Sequence, residues 1–297
     1  IQATLRFIKS KMKFFIAFVF IFCRLQAEES FKIAVLADCQ YCNKPDKGSR
    51  MYKTSDQRLK AFVAECNKHE LKFAVQVGDL IDEKYESYEV VLDILKDLKT
   101  PMYYVLGNHE FSVEPKLKSS IPSLLKMPSK YYSKRFNNYR FIILDGNDVS
   151  FHAYEKGSPE YLAAAKYYKE NKVKSPKWNG AVGPAQMKWL AAQLELAENQ
   201  KEKVVLFCHF PVYPADPHNL WNSQEVIELL EKYSCVKAYI NGHNHKGNYG
   251  EKAAVHYLTM KGMVENKEPT FSIMELSKNK MTIQAFGAEK SRDLELK

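Results

Sequence analysis

The chain has 297 residues, 45% of them hydrophobic and 13% aromatic, enough to bury one sizeable core or two small ones. Its formal net charge of +9 is unevenly placed: residues 1–27 hold Arg6, Lys9, Lys11, Lys13 and Arg24 and no acid, and without these five the remaining 39 basic residues face 35 acidic ones, a surplus of +4. So mild a surplus argues against a nucleic-acid partner, and six cysteines at irregular spacing argue against a disulfide framework.

Taken in order, the chain opens on an export signal. Met12-Lys13 is a charged start, Phe14 to Cys23 is an apolar run of ten residues, and Leu25-Gln26-Ala27 ends on a small residue before Glu28. The run is too short to span a bilayer comfortably. Residues 1–27 are therefore expected to be an N-terminal extension and signal peptide. Met12 is the natural start, the domain proper occupies residues 28–297, and the mature protein is secreted or periplasmic without a stable membrane anchor. Cys39-Gln40-Tyr41-Cys42 is a lone C-x-x-C, compatible with one disulfide or with no pairing.

Strands and helices then alternate. Phe31 to Ala37 reads as a strand ending at Asp38, and Ser55 to Lys68 as a helix with Leu59, Phe62, Val63 and Cys66 on one side. Lys72 to Val77 is a buried strand ending at Gly78-Asp79-Leu80-Ile81-Asp82. Tyr88 to Leu98 is a helix, and Pro101 to Leu106 a strand ending at Gly107-Asn108-His109-Glu110. Tyr139 to Leu144 is a further strand. Residues 150–183, rich in Tyr, Lys, Gly and Pro, read as a helical turn plus a long loop, and Gln186 to Asn199 as an amphipathic helix. Lys203 to Cys208 is a strand ending at His209, Asn222 to Tyr233 a helix, and Val236 to Ile240 a strand ending at Asn241-Gly242-His243-Asn244-His245. Three last runs, Ala254 to Met260, Thr270 to Leu276 and Lys280 to Ala285, follow one another without helices, as in an antiparallel end of a sheet.

Five strand ends thus carry Asp38 and Gln40, Asp79, Asn108 and His109, His209, and His243 with His245. The carboxyl ends of strands are where open α/β sheets place ligands. All these side chains offer oxygen or imidazole nitrogen and none offers thiolate, a set that suits Mn²⁺, Zn²⁺, Fe or Ni rather than a structural zinc site. Asp38, Gln40, Asp79, Asn108, His209, His243 and His245 are too many for one ion. Two ions about 3.5–4 Å apart, sharing one carboxylate, would use them all.

Asp-x-Gln, Gly-Asp-Leu-Ile-Asp, Gly-Asn-His-Glu, Cys-His-Phe-Pro and Gly-His-Asn-His, in this order from Asp38 to His245, resemble the calcineurin-like metallophosphoesterase superfamily. The resemblance implies one domain, a four-layer α/β/β/α sandwich. It implies that Asp38, Gln40, Asp79 and His245 hold one metal and that Asp79, Asn108, His209 and His243 hold the other. Most members carry His where this chain has Gln40. Gln there is similar to the manganese-dependent ADP-ribose/CDP-alcohol diphosphatases, as are Arg50-Met51-Tyr52-Lys53-Thr54-Ser55, Lys177-Trp178-Asn179-Gly180-Ala181-Val182-Gly183 and Trp221-Asn222. The export signal departs from the family's cytosolic animal members.

The expected chemistry is that two divalent ions, Mn²⁺ foremost with Fe or Zn²⁺ as alternatives, clamp phosphate oxygens and lower the pKa of a bridging water. His109 is not needed as a ligand if Asn108 fills that role; the resemblance implies that it is catalytic, sitting by the leaving oxygen as general acid or charge stabiliser. Arg50, Tyr52, Asn108 and His109 are expected to contact a small nucleoside diphosphate-linked substrate. The alternatives are a broader phosphomonoesterase or phosphodiesterase, and a secreted binding protein with a degenerate site; the last is disfavoured because every ligand position is filled.

Overall fold

The structure is a computed structural model that describes residues 30–297, so the signal peptide expected over residues 12–27 lies outside the described residues. Two six-stranded sheets face each other. The first has the order β12-β11-β10-β1-β2-β3, from Arg292–Glu295, Lys280–Phe286, Phe271–Leu276, Phe31–Leu36, Leu71–Gln76 and Met102–Tyr104. The second has the order β4-β5-β6-β7-β9-β8, from Tyr132–Phe136, Tyr139–Ile143, Lys203–Phe207, Val236–Asn241, Val255–Thr259 and Asn248–Lys252. β1, β2 and β3 run parallel, as do β5, β6, β7 and β9; antiparallel strands complete the edges.

Alternate residues of each central strand enter different cores, because successive side chains point to opposite faces. Ile33, Val35, Phe73 and Val75 meet Phe141, Ile143, Val205 and Phe207 between the sheets. Ala34, Leu36 and Ala74 face outward into the core that holds Leu59 and Phe62 of α1 (Ser55–Cys66), Val91 and Ile94 of α2 (Ser87–Leu95) and Ile121 of the short α3 (Ile121–Leu124). On the far side Ile142, Val204 and Leu206 meet Leu190 and Leu194 of α5 (Pro184–Asn199) and Val226 and Leu230 of α6 (Ser223–Leu230). Three cores between four layers are the α/β/β/α sandwich. Burial on both faces is why these strands read as unbroken apolar runs rather than alternating ones.

The differences from expectation lie at the periphery. β4, β8 and β12 are edge strands with polar, half-exposed sequences that carry no strand signal. The segment read as a helical turn contains a 12-residue helix, α4 (Pro159–Glu170), capped by Ser158, whose Oγ accepts from the Tyr161 N–H at 3.2 Å. It buries only Ala164, so it shows no apolar stripe. Of the three tail strands, β9 pairs parallel with β7 in the second sheet, while β10 and β11 form the antiparallel end of the first. Cys39, Cys42, Cys66, Cys208 and Cys235 are buried free thiols, so the C-x-x-C is not a disulfide. Among the described residues no helix is long and apolar enough to cross a membrane.

Candidate metal centre

The carboxyl ends of β1, β2 and β3 and those of β6 and β7 come together at one rim of the sandwich. The loops there are tight. Asp38, Gln40, Asp79 and His243 have φ of 50°, 45°, 58° and 69°, the left-handed region that non-glycine residues rarely occupy. Such backbone is held only where the surroundings over-determine it, as at binding sites. Gly107 packs against Asp79: a Cβ there would overlap the Asp79 carboxylate and lie 2.6 Å from its backbone nitrogen. Glu110, fully buried, accepts from the N–H groups of Asp79 (2.7 Å), Leu80 (2.6 Å) and Gly107 (2.6 Å), stapling the loops after β2 and β3 together.

Asp79 Oδ2 is the hub. It lies 3.1 Å from the Gln40 amide on one side and 3.2 Å from His209 Nε2 on the other. Beyond Gln40 come His245 Nε2 at 3.2 Å and, from that nitrogen, Asp38 Oδ1 at 3.4 Å. Beyond His209 Nε2 come His243 Nδ1 at 3.0 Å and Asn108 Oδ1 at 3.3 Å. Two four-residue sets therefore share Asp79. A cation with bonds of about 2.1 Å keeps neighbouring donors about 3 Å apart, which these separations match. Asp79, His209 and His243 are each buried, with donor atoms all within 4.8 Å of one another. Gln40 Oε1 is buried without a hydrogen-bond partner among the described residues. A half-turn of the amide exchanges that oxygen with the nitrogen facing Asp79, so Gln40 can present an oxygen to a cation. The donor set fits two divalent ions.

Three partners outside the donor set fix the imidazole tautomers. His209 Nδ1–H donates to the Val77 carbonyl (3.0 Å), which turns Nε2 inward. His245 Nδ1–H donates to Glu265 Oε1 (3.1 Å), again turning Nε2 inward. Asn179 Nδ2 donates to the carbonyls of Pro217 (2.7 Å) and Asn219 (3.0 Å), so its Oδ1 must face His243 Nε2, 2.9 Å away, and Nδ1 of His243 turns inward. Such outer partners hold metal-binding imidazoles in place. Burial would push the His209 and His245 rings down. The carboxylates override it, chiefly Asp79 for His209 and Asp38 for His245, and both rise to about 9. Burial, reinforced by His209, holds His243 well below the usual range, so it is neutral. Burial would likewise raise the Asp79 carboxyl, but His209 and His109 keep it well below its ordinary range.

His109 is placed beside the donors and outside both sets. Its backbone N–H donates to Asp79 Oδ1 (2.8 Å), and its ring Nδ1 reaches the Asp82 carbonyl (2.9 Å) and Asp82 Oδ1 (3.0 Å). Nε2 remains for the pocket, 4.0 Å from Asp79 Oδ2. Burial opposes its charge, but Asp79 and Asp82 raise it to about 9. Lys44 Nζ pairs with the other Asp82 oxygen. The pocket, about 360 Å³, is lined by Gln40, Arg50, Asp79, Asn108, His109 and His245, with His243, Trp178 and His218. A larger groove of about 640 Å³ beside β3 and α2 contains none of these residues. Arg50 lines the pocket with its Nε 3.8 Å from Glu265.

Tyr52 requires a correction. It is 2% exposed, packed with Cys42 and Val264 under the Lys44 ammonium, and does not line the pocket. It supports the Arg50 loop from below instead of reaching substrate. Sequence reasoning gave no role to Asp82, Glu110, Glu265 or His218. For Asp82 and Glu110 a signal was present in Gly-Asp-Leu-Ile-Asp and Gly-Asn-His-Glu; for Glu265 and His218 there was none.

The calcineurin-like phosphoesterase model matches residues 31–247. The chain belongs to that family. A manganese-dependent ADP-ribose/CDP-alcohol diphosphatase of Oryza sativa subsp. japonica is 31% identical, over 91% of this chain and 94% of that protein. The human protein of the same description is 27% identical, over 91% and 94% respectively. A dimetal phosphatase from Danio rerio superposes with a TM-score of 0.79 at 24% identity, covering 90% of this chain and 99% of that one, and so shares the fold.

Proposed function

We propose that this metallophosphoesterase is a manganese-dependent diphosphatase. It cleaves the phosphoanhydride bond of small nucleoside diphosphate-linked substrates of the ADP-ribose and CDP-alcohol kind. The observation that carries the reading is Gln40, an amide donor beside Asp79 and His245 with its buried oxygen unpartnered. An amide oxygen is a harder, weaker ligand than imidazole and tilts that position toward an oxygen-preferring ion that still tolerates histidine, as Mn²⁺ does. The similarity to the rice and human manganese-dependent ADP-ribose/CDP-alcohol diphosphatases supports the same reading.

Bound divalent ions would supply charge on the phosphate oxygens and a water of lowered pKa. The chain does the rest. The carbonyl of Val77, Asn179 and Glu265 keep three imidazole nitrogens pointed inward before any ion arrives. Water adds its oxygen to one phosphorus, the bridging P–O bond breaks, and the bridging oxygen leaves on the second phosphate. His109, aimed by Asp82, holds a proton at Nε2 for that oxygen. Arg50, on the pocket wall, contributes positive charge to the substrate phosphates.

The test is a substrate panel on Mn²⁺-loaded protein. ADP-ribose and CDP-choline should be cleaved to AMP and CMP with kcat/KM above that for p-nitrophenyl phosphate. Monoester cleavage at an equal or higher rate would replace this reading with a broader phosphomonoesterase. Export belongs to the proposal too, supported by the order of charged, apolar and small residues over 12–27. Mass spectrometry of the secreted protein should find an N-terminus near Glu28; an intact leader on an intracellular pool would contradict export.

A further inference from the structure

Two of the residues lining the pocket, Trp178 and His218, take no part in the metal sets or in the chemistry assigned above. His218 is built into place. Its ring Nδ1–H donates to Asp216 Oδ1 at 2.6 Å, and its backbone N–H donates to the same oxygen at 2.9 Å. The other Asp216 oxygen accepts from Asn244 Nδ2 at 3.2 Å, and Asn244 stands between the ligands His243 and His245. The loop is braced further by Asn219, whose amide donates to the carbonyls of Val212 (2.8 Å) and Pro214 (2.9 Å). The His218 ring lies 4.9 Å from the Trp178 ring and 5.5 Å from that of His243. With Nδ1 committed to Asp216, only Nε2 can face the pocket, and it has no hydrogen-bond partner among the described residues. An imidazole locked in orientation at a pocket wall, with one nitrogen unspent, is a ligand contact awaiting its ligand.

From this we infer that His218 Nε2 holds the second phosphate of the substrate, the one that departs. The inference deepens the diphosphatase reading and rests on it. A diphosphate presents two phosphoryl groups, and the donor sets around Asp79 account for one. When the P–O bond breaks, the electron pair stays on the bridging oxygen, so negative charge grows on the departing phosphate. An imidazole between the Asp216 carboxylate and that phosphate can offer one ring nitrogen to each. Asp216 is a positioning residue, since it acts only through the ring. The contact discriminates by the number of phosphates: a substrate with one phosphoryl group and an aryl leaving group has no second phosphate for His218 to hold.

The experiment compares kcat/KM for ADP-ribose with that for p-nitrophenyl thymidine 5′-phosphate, which has a nucleoside and one phosphate, on Mn²⁺-loaded protein. His218→Ala should lower the ADP-ribose value about 10- to 100-fold, the range of a hydrogen bond to a charged group, and the nitrophenyl value less than threefold, with metal content unchanged. Asp216→Asn should shift the ratio in the same direction by less. His218→Phe keeps a ring against Trp178 and His243 without a nitrogen. It should reproduce the alanine ratio, and serves as the deciding variant should alanine disturb folding or metal content. Equal losses on both substrates, or no loss on either, overturn the inference. A wild-type enzyme that prefers the nitrophenyl ester overturns the diphosphatase reading instead, and the wild-type-to-variant ratio still reports on His218 separately.

Discussion

At His109 two neighbours decide the role of one side chain. Asn108 Oδ1 lies beside His209 in the cluster, and Asp82 takes the Nδ1 hydrogen, so the ring keeps Nε2 for the pocket. His109→Ala is expected to lower kcat about 10²–10⁴-fold, the scale of a positioned proton donor, while elemental analysis finds both metals retained. Loss of a metal would make the ring structural. Asp145, two residues beyond the end of β5, behaves differently. It is 1% exposed, and burial pushes its carboxyl up to about 6 against the pull of Lys130. A carboxyl raised in the fold contributes stability below its ordinary value near 4 and loses that contribution as pH rises through 6. Asp145→Asn keeps an oxygen for the Asn147 N–H at 2.9 Å and removes the buried charge. It should therefore stabilise the protein at pH 8, by at most about 3 kcal/mol at 1.36 kcal/mol per pH unit, and leave it little changed at pH 4. Equal midpoints of urea unfolding for variant and wild type at pH 8 would contradict this.

Among the elements, the loops after β2 and β3 depend on each other through Glu110. One of its oxygens serves the N–H groups of Asp79 and Gly107, and the other serves Leu80. Glutamine keeps the shape but turns one acceptor into a donor that faces a backbone N–H. Glu110→Gln should cost about 1–3 kcal/mol, the penalty of an unsatisfied buried group, as read by urea unfolding of the stripped protein. It should also weaken Mn²⁺ binding, because the loop that carries Asp79 is no longer tied to the one that carries Asn108. Unchanged stability with unchanged metal affinity would show that the staple is dispensable.

For the whole molecule, the donor sets join the two sheets. Asp38, Gln40, Asp79 and Asn108 follow strands of the first, and His209, His243 and His245 follow strands of the second. Ions bound there tie one sheet to the other and stabilise only the folded chain. At 100 times the dissociation constant each site adds about 2.7 kcal/mol, so chelation should lower the melting temperature by about 10 °C at about 2 °C per kcal/mol. Loading must displace the protons that His209 and His245 carry when their values are near 9. Raised histidine values contribute stability to the stripped fold below about 6.5, and that contribution fades as pH rises through 9. The gain in melting temperature on adding Mn²⁺ should thus widen from pH 6.5 to pH 9. Calorimetric titration in two buffers should count about two protons released at pH 7.5; a count of zero would refute the assignment.

The chain by itself determined the alternation of strand and helix, the five strand ends with the donors beside them, and the residue types that make a two-ion site. These are local signals: apolar runs of strand length, helical periodicity, and a polar donor just past each run. It did not determine β4, β8 or β12, whose polar edge sequences carry no period, nor α4, which buries one residue. Tertiary structure alone decided the placement of β9 beside β7 and the burial of Tyr52. It also chose which nitrogen of each histidine faces inward. That choice is made by Val77 for His209, by Asn179 for His243 and by Glu265 for His245, partners 132, 64 and 20 residues away along the chain. A tautomer is set by where its second nitrogen finds a hydrogen-bond partner, and only the folded chain brings that partner within hydrogen-bond distance.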